Sequence, residues 1–257
     1  MLIFIFLLLI LILFFKLFFN KNNNNDPILI NKIYYINLEK SLNRKKTLLS
    51  NAKNENLKLE RFPGVNGKDL DLEELYKKKI FTKFIFKSKR GMIGCTLSHL
   101  KLWQKIIKSN DKNILILEDD VIFVKNFKKK FIEYSKQVPK DWDILYLGAS
   151  NVYGTKINNN IIKPIYNSGH MTNVGAYAML VKKESLKKLI KSMNPIKDDF
   201  DIQIKNKFNK FNSVYYFNPP LILHNNEIDS DRRTIDGSNP KAHPIWRNKV
   251  QSRITII

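Results

Sequence analysis

Between Asn113 and Val124 the chain reads NILILEDDVIFV, with three consecutive carboxylates, Glu118, Asp119 and Asp120, set between two apolar runs. Buried charge is costly unless it is paired or bound to a metal. The acids therefore either lie on a solvated turn or are compensated by a cation. Adjacent carboxylates raise one another's pKa values when no cation is present. Mg²⁺ or Mn²⁺ suits one or two carboxylates completed by substrate phosphate oxygens. Such an ion neutralises a departing diphosphate, and the same acids would equally serve a phosphatase or a nuclease.

Other residues could join that chemistry. Asp198, Asp199 and Asp201 in DDFDIQI precede a helical pattern. They suit either a general base or a helix N-cap. Arg44 is either a phosphate-pairing fork or a surface arginine on a helix. His99 in GMIGCTLSH is either a hydrogen-bonded structural residue or a ligand contact, and Gly91 and Gly94 allow a tight turn or a close backbone approach.

The elements that must position these groups alternate. Ile28–Leu38 reads as a first strand, followed by a helix through LNRKKTLLSNAKNENL. Ile93, Leu97, Leu100, Trp103 and Ile107 fall at helical spacing, and Ile114–Leu117 reads as a buried strand ending at the acids. WDILYLG, GAYAMLV and VYYFNPPLIL supply later strands, the last interrupted by Pro219-Pro220, which argues for a sheet edge or a strand end. Alternating strands and helices predict an α/β fold with a mostly parallel central sheet flanked by helices. In such a sheet ligands bind beyond the carboxyl ends of the strands, where Glu118-Asp119-Asp120 falls.

The chain has 257 residues, 44% of them hydrophobic, enough for one large domain and against general disorder. Leu2–Phe19 is apolar except for Lys16, long enough to cross a bilayer, with no charged leading region and no A-x-A-like cleavage site. It predicts a single-pass membrane anchor over residues 1–20, with a cleaved signal or a buried core helix as the alternatives, a polar spacer over 21–29 and a domain over 30–257. Lys16, Lys21 and Lys32 follow the span and no N-x-Ser/Thr acceptor occurs; both lean towards a cytosolic body without deciding the side. Net charge is +22, yet the lysines are scattered, which favours a solvated surface over a polynucleotide-binding arm. The single cysteine, Cys95, excludes an internal disulfide and reads as a small core filler.

Seven blocks occur together and in order: YINLEKSLNRK (Tyr35–Lys45), RFPGVNGKDL (Arg61–Leu70), GMIGCTLSHLKLWQKI (Gly91–Ile106), ILILEDDVIF (Ile114–Phe123), DWDILYLG (Asp141–Gly148), GAYAMLV and NPPLILH (Asn218–His224). On these the chain resembles glycosyltransferase family 25, which includes lipooligosaccharide and procollagen galactosyltransferases. The resemblance implies a GT-A-like fold, a UDP-sugar donor, a divalent cation, Mn²⁺ or Mg²⁺, and a saccharide or hydroxylysine acceptor. Carried over by position, Asp120 is the direct metal ligand, with Glu118 and the late His224 as further ligands. Glu118 or Asp119 then holds the donor ribose or a metal-bound water. Asn37 and Arg44 lie near the nucleotide, His99 beside donor or acceptor, and Asp199 or Asp201 is the base. After Asp231 the likeness fades, and the basic segment to Ile257 is assigned only a flap or acceptor edge. The expected activity is hexosyl transfer; a phosphohydrolase or nuclease, or an inactive binding protein on the same frame, are the alternatives.

Overall fold

The computed structural model describes residues 25–82, 89–166, 169, 171–210, 212–225, 231, 235–236 and 255–256. The expected membrane span lies outside these residues, as do the Lys-rich loop 83–88 and nearly all of the basic segment after Asp231. Among the described residues no helix is long and apolar enough to cross a membrane.

The first half alternates as expected. Strand β1 (Lys32–Asn37) leads to helix α1 (Leu42–Asn54), β2 (Glu60–Pro63), α2 (Leu72–Lys77), α3 (Arg90–Ile107), β3 (Asn113–Glu118), a short β4 (Val121–Phe123) and α4 (Phe127–Ser135). The second half holds β5 (Ile144–Ser150), β6 (Tyr153–Lys156), β7 (Ile161–Pro164), β8 (Val174–Lys182), α5 (Leu186–Ser192) and α6 (Phe200–Ile204). A π-helical turn follows α6, and then come β9 (Val214–Phe217), β10 (Ile222–His224) and β11 (Thr255–Ile256).

Nine strands form one sheet in the order β11-β6-β7-β9-β5-β8-β3-β1-β2. Strands β2, β1 and β3 pair in parallel, β8 runs against both β3 and β5, and β5 pairs in parallel with β9. Only β7 and β8 oppose the common direction, so the sheet is mostly parallel, as expected. The expected late strand splits at its prolines. Its first half, β9, lies inside the sheet between β7 and β5 and ends at Phe217, because Pro219 and Pro220 cannot donate to a ladder.

Successive side chains of a strand point to opposite faces, and the core divides accordingly. Ile33, Tyr35, Leu115, Leu117, Leu145 and Leu147 pack on one face with α1 and α4. Tyr34, Ile114, Ile116, Ile144 and Tyr146 pack on the other against Leu102, Trp103 and Ile106 of α3. With both faces covered the central strands read as continuous apolar runs, which is why NILIL carries no alternation. Helix α3 also presses on the loop after β2. A Cβ on Gly94 would stand 2.7 Å from the Val65 carbonyl oxygen, so this glycine serves close backbone packing.

Candidate active site

Strand β3 delivers Glu118 to its carboxyl end, and the chain turns through Asp119 and Asp120 into β4. That strand leaves the main sheet and pairs antiparallel with β10, with Val121 opposite His224. The Asn225 N–H donates to the Asp120 carbonyl at 2.7 Å, closing the junction. His224 Nε2 therefore stands 3.3 Å from Asp120 Oδ2, its ring edge-on to Tyr177.

Asp119 and Asp120 are buried, so the solvated-turn alternative is set aside. Their compensating charge comes from the first turn of α1. Arg44 Nε donates to Asp119 Oδ1 at 2.6 Å, and Arg44 Nη2 donates to Asp120 Oδ2 at 2.8 Å while also pairing with Asp119. Asn37, at the end of β1, donates to Asp119 Oδ2 at 2.6 Å and accepts from Arg61 Nε at 3.0 Å. Arg44 is thus a clamp on buried acids rather than a surface arginine.

Burial raises the Glu118 carboxyl above its usual range and nearby Asp120 adds to the rise, with His224 and Arg44 opposing. Burial raises Asp119 as well, against Arg44. Burial disfavours the Arg44 charge, but Asp120 and Asp119 more than offset this and hold the guanidinium charged. Carboxylates with one imidazole form a donor set that fits Mn²⁺ or Mg²⁺, and the guanidinium between Asp119 and Asp120 shows that the site calls for positive charge.

These groups rim a cavity of about 250 Å³ whose far wall is made by α3 and α6. His99 is 1% exposed, stacked on Phe200 at 3.8 Å between ring centres. Burial pushes its imidazole down to about 3, so it stands neutral. The hydrogen-bonded structural role fits only in part, since His99 Nδ1 has no hydrogen-bond partner among the described residues. Cys95, one turn earlier, is not wholly a core filler: it is half-buried and lines the cavity, because α3 turns its Cys95 and His99 side there.

Asp199 and Asp201 both line the cavity but differ in their bonding. Asp201 Oδ2 accepts from the Gly175 N–H at 2.6 Å and Oδ1 from its own helix at Ile202 N, fastening α6 to β8. Gly175 adopts φ +87° there, a left-handed conformation that favours glycine. Asp199 occupies the N-cap position of α6 without a side-chain capping bond, so the capping explanation does not account for its carboxylate.

Two further acids belong to the site. Ser41 Oγ donates to Asp231 Oδ2 at 2.5 Å, and the Gly91 N–H at the start of α3 donates to Asp236 Oδ1 at 2.6 Å. Ile235, between them, lines the cavity. Asp231 stands out in EIDSDR as an acidic segment, whereas nothing local marks Asp236.

An α/β sheet that carries buried acids at the carboxyl lip of a central strand, beside a cavity, places a candidate ligand-binding site where such folds bind their ligands. The model of glycosyltransferase family 25 (LPS biosynthesis protein) matches residues 30–204, more than half of the sequence, and the chain belongs to that family. A glycosyltransferase 25 family member of Aedes aegypti is 25% identical over 252 aligned positions, covering 88% of this chain and 40% of that protein. Procollagen galactosyltransferase 2 of Mus musculus is 29% identical over 140, covering 49% of this chain and 22% of that protein. The chain thus spans less than half the length of these relatives. Among solved structures, the glycosyltransferase GlyE of Streptococcus pneumoniae TIGR4 is similar with a TM-score of 0.42 and 13% identity, over 86% of this chain and 60% of GlyE.

Proposed function

We propose that this chain moves a hexose, galactose or glucose, from a UDP-sugar to a hydroxyl acceptor on a glycan, a lipooligosaccharide or a hydroxylysine, on a GT-A-like frame. One observation carries this: in a family 25 chain, Asp120 and His224 meet at the cavity lip where β3 ends. Asp120, Glu118 and His224 hold Mn²⁺ or Mg²⁺. When bound, the ion supplies Lewis-acid neutralisation of the departing diphosphate. Galactose is favoured as the donor sugar by the name of the mouse relative.

The chain's own side chains supply the rest. The planar fork of Arg44 matches phosphate oxygens as well as it matches the carboxylates it now clasps. Asn37 fixes Asp119 in position beside the donor ribose. Asp199, which lines the cavity at the start of α6, is the base that removes the acceptor hydroxyl proton if configuration inverts. Asp201 positions it by tying α6 to β8. The apolar stretch Leu2–Phe19 anchors the body to a membrane.

The test is UDP release by the purified chain from UDP-galactose and UDP-glucose, with Mn²⁺ and with chelator. Asp120→Asn is expected to lower release, per folded molecule, by at least about a hundredfold, the several kcal/mol a catalytic ion supplies. Undiminished release in that variant removes the metal assignment.

A further inference from the structure

A second donor set lies deeper in the cavity. Cys95 and His99 are four residues apart on α3 and so project from one face of the helix. Glu118 reaches towards them from the end of β3. One ligand atom from each, the Cys95 sulfur, an imidazole nitrogen and a Glu118 carboxylate oxygen, lies within 4.8 Å of the others. All three residues line the cavity.

From this geometry we infer that Cys95, His99 and Glu118 form a site for a soft divalent cation of the Zn²⁺ class, which shares Glu118 with the carboxylate site at Asp120 and differs from it in its thiol and imidazole donors. A thiolate, an imidazole and a carboxylate are the ligand types zinc takes, whereas Mg²⁺ and Mn²⁺ favour oxygen. Tetrahedral zinc with bonds of about 2.0 to 2.3 Å sets its ligands roughly 3.5 Å apart, so side-chain rotation of about 1 Å closes the set. Three protein ligands leave the fourth position open to the cavity, where a water or a substrate oxygen completes it.

A second observation points to the same ligand. His99 is almost wholly buried, yet its Nδ1 has no hydrogen-bond partner among the described residues. Buried polar atoms are seldom left so, and a bound ion or a water would satisfy this one. The Phe200 stack fixes the plane of the His99 ring at the cavity wall. The site rests on these residues alone and does not depend on hexosyl transfer being the reaction.

Because Cys95 is the only cysteine in the chain, a thiolate signal identifies it. The full chain, stripped with chelator and titrated with Co²⁺, is expected to show a sulfur-to-cobalt charge-transfer band and tetrahedral d–d bands at one equivalent, both removed by Zn²⁺. Cys95→Ser is expected to abolish the charge-transfer band. His99→Gln weakens Co²⁺ binding by at least about tenfold, while Asp120→Asn retains the band. As a check independent of the variants' folding, Zn²⁺ is expected to slow alkylation of Cys95 in the unaltered chain, whereas Mg²⁺ does not. Absence of the charge-transfer band, or Cys95 alkylation indifferent to Zn²⁺, overturns the site. A band retained without UDP release leaves the site standing and removes the transfer reading instead.

Discussion

Arg44 stands among the acids as a built-in counter-charge, clasping Asp119 and Asp120 with one guanidinium. Removing one partner of a buried pair leaves the other charges uncompensated, at a cost of about 3 to 5 kcal/mol. Arg44→Met is therefore expected to lower the melting temperature of the metal-free chain. Mn²⁺ is expected to raise it by more than it does in the unaltered protein; a variant as stable as its parent, with no larger metal response, would contradict the clamp. The raised carboxyls of Glu118 and Asp119 give a pH dependence of defined sign. Each keeps its proton to higher pH in the folded chain than in the unfolded one. Their contribution to stability is thus full below the ordinary carboxylate range and is lost as pH rises through the folded values. Over that same window the sites become anionic, so Mn²⁺ affinity is expected to climb with pH, by calorimetric titration, while metal-free stability falls. Much of this was legible in the residues: the three acids, Asn37, Arg44 and His224 do converge. What could not be read was that Arg44 spans the pair, or that Cys95 turns to the cavity, because both depend on the angle at which helices α1 and α3 cross the sheet.

At the scale of elements, legibility followed burial. Strands covered on both faces are continuous apolar runs, so β1, β3, β5 and β8 stood out. The short β6 is partly exposed, the buried β7 offers only two apolar residues before Lys163, and the β4–β10 ribbon depends on a pairing between residues a hundred positions apart. Yet that ribbon is what carries His224 to Asp120. Contact between α3 and the loop after β2 matters in the same way, since it sets the depth at which His99 and Cys95 face Glu118. Valine at position 94 forces its side chain into the Val65 carbonyl and Gly67 backbone, which have no flexible end to yield. Gly94→Val is expected to destabilise the chain by about 1 to 3 kcal/mol in urea unfolding, with UDP release falling beyond what the lost folded fraction explains. A stability equal to that of the parent would mean the helix is free to shift outward.

For the molecule as a whole, the two cores lie on either side of one sheet, and among the described residues their members begin at Ile28. The apolar stretch Leu2–Phe19 lies outside the described residues, and its role rests on its sequence. Its eighteen residues, broken only by Lys16, approach the length that covers a hydrocarbon layer, and lysines beyond it suit the interface. The chain carries a net charge of +22, nearly all of it beyond that stretch, which adds attraction to anionic lipid that salt screens. These two contributions separate cleanly in fractionation. The full chain is expected to stay in the membrane pellet through a high-salt wash and an alkaline wash, leaving only with detergent. Deletion of residues 1–20 is expected to leave a form that pellets with anionic vesicles at low salt and is released at high salt, with UDP release from the sugar nucleotide retained. Release of the full chain by salt alone would reduce the attachment to surface charge and remove the anchor.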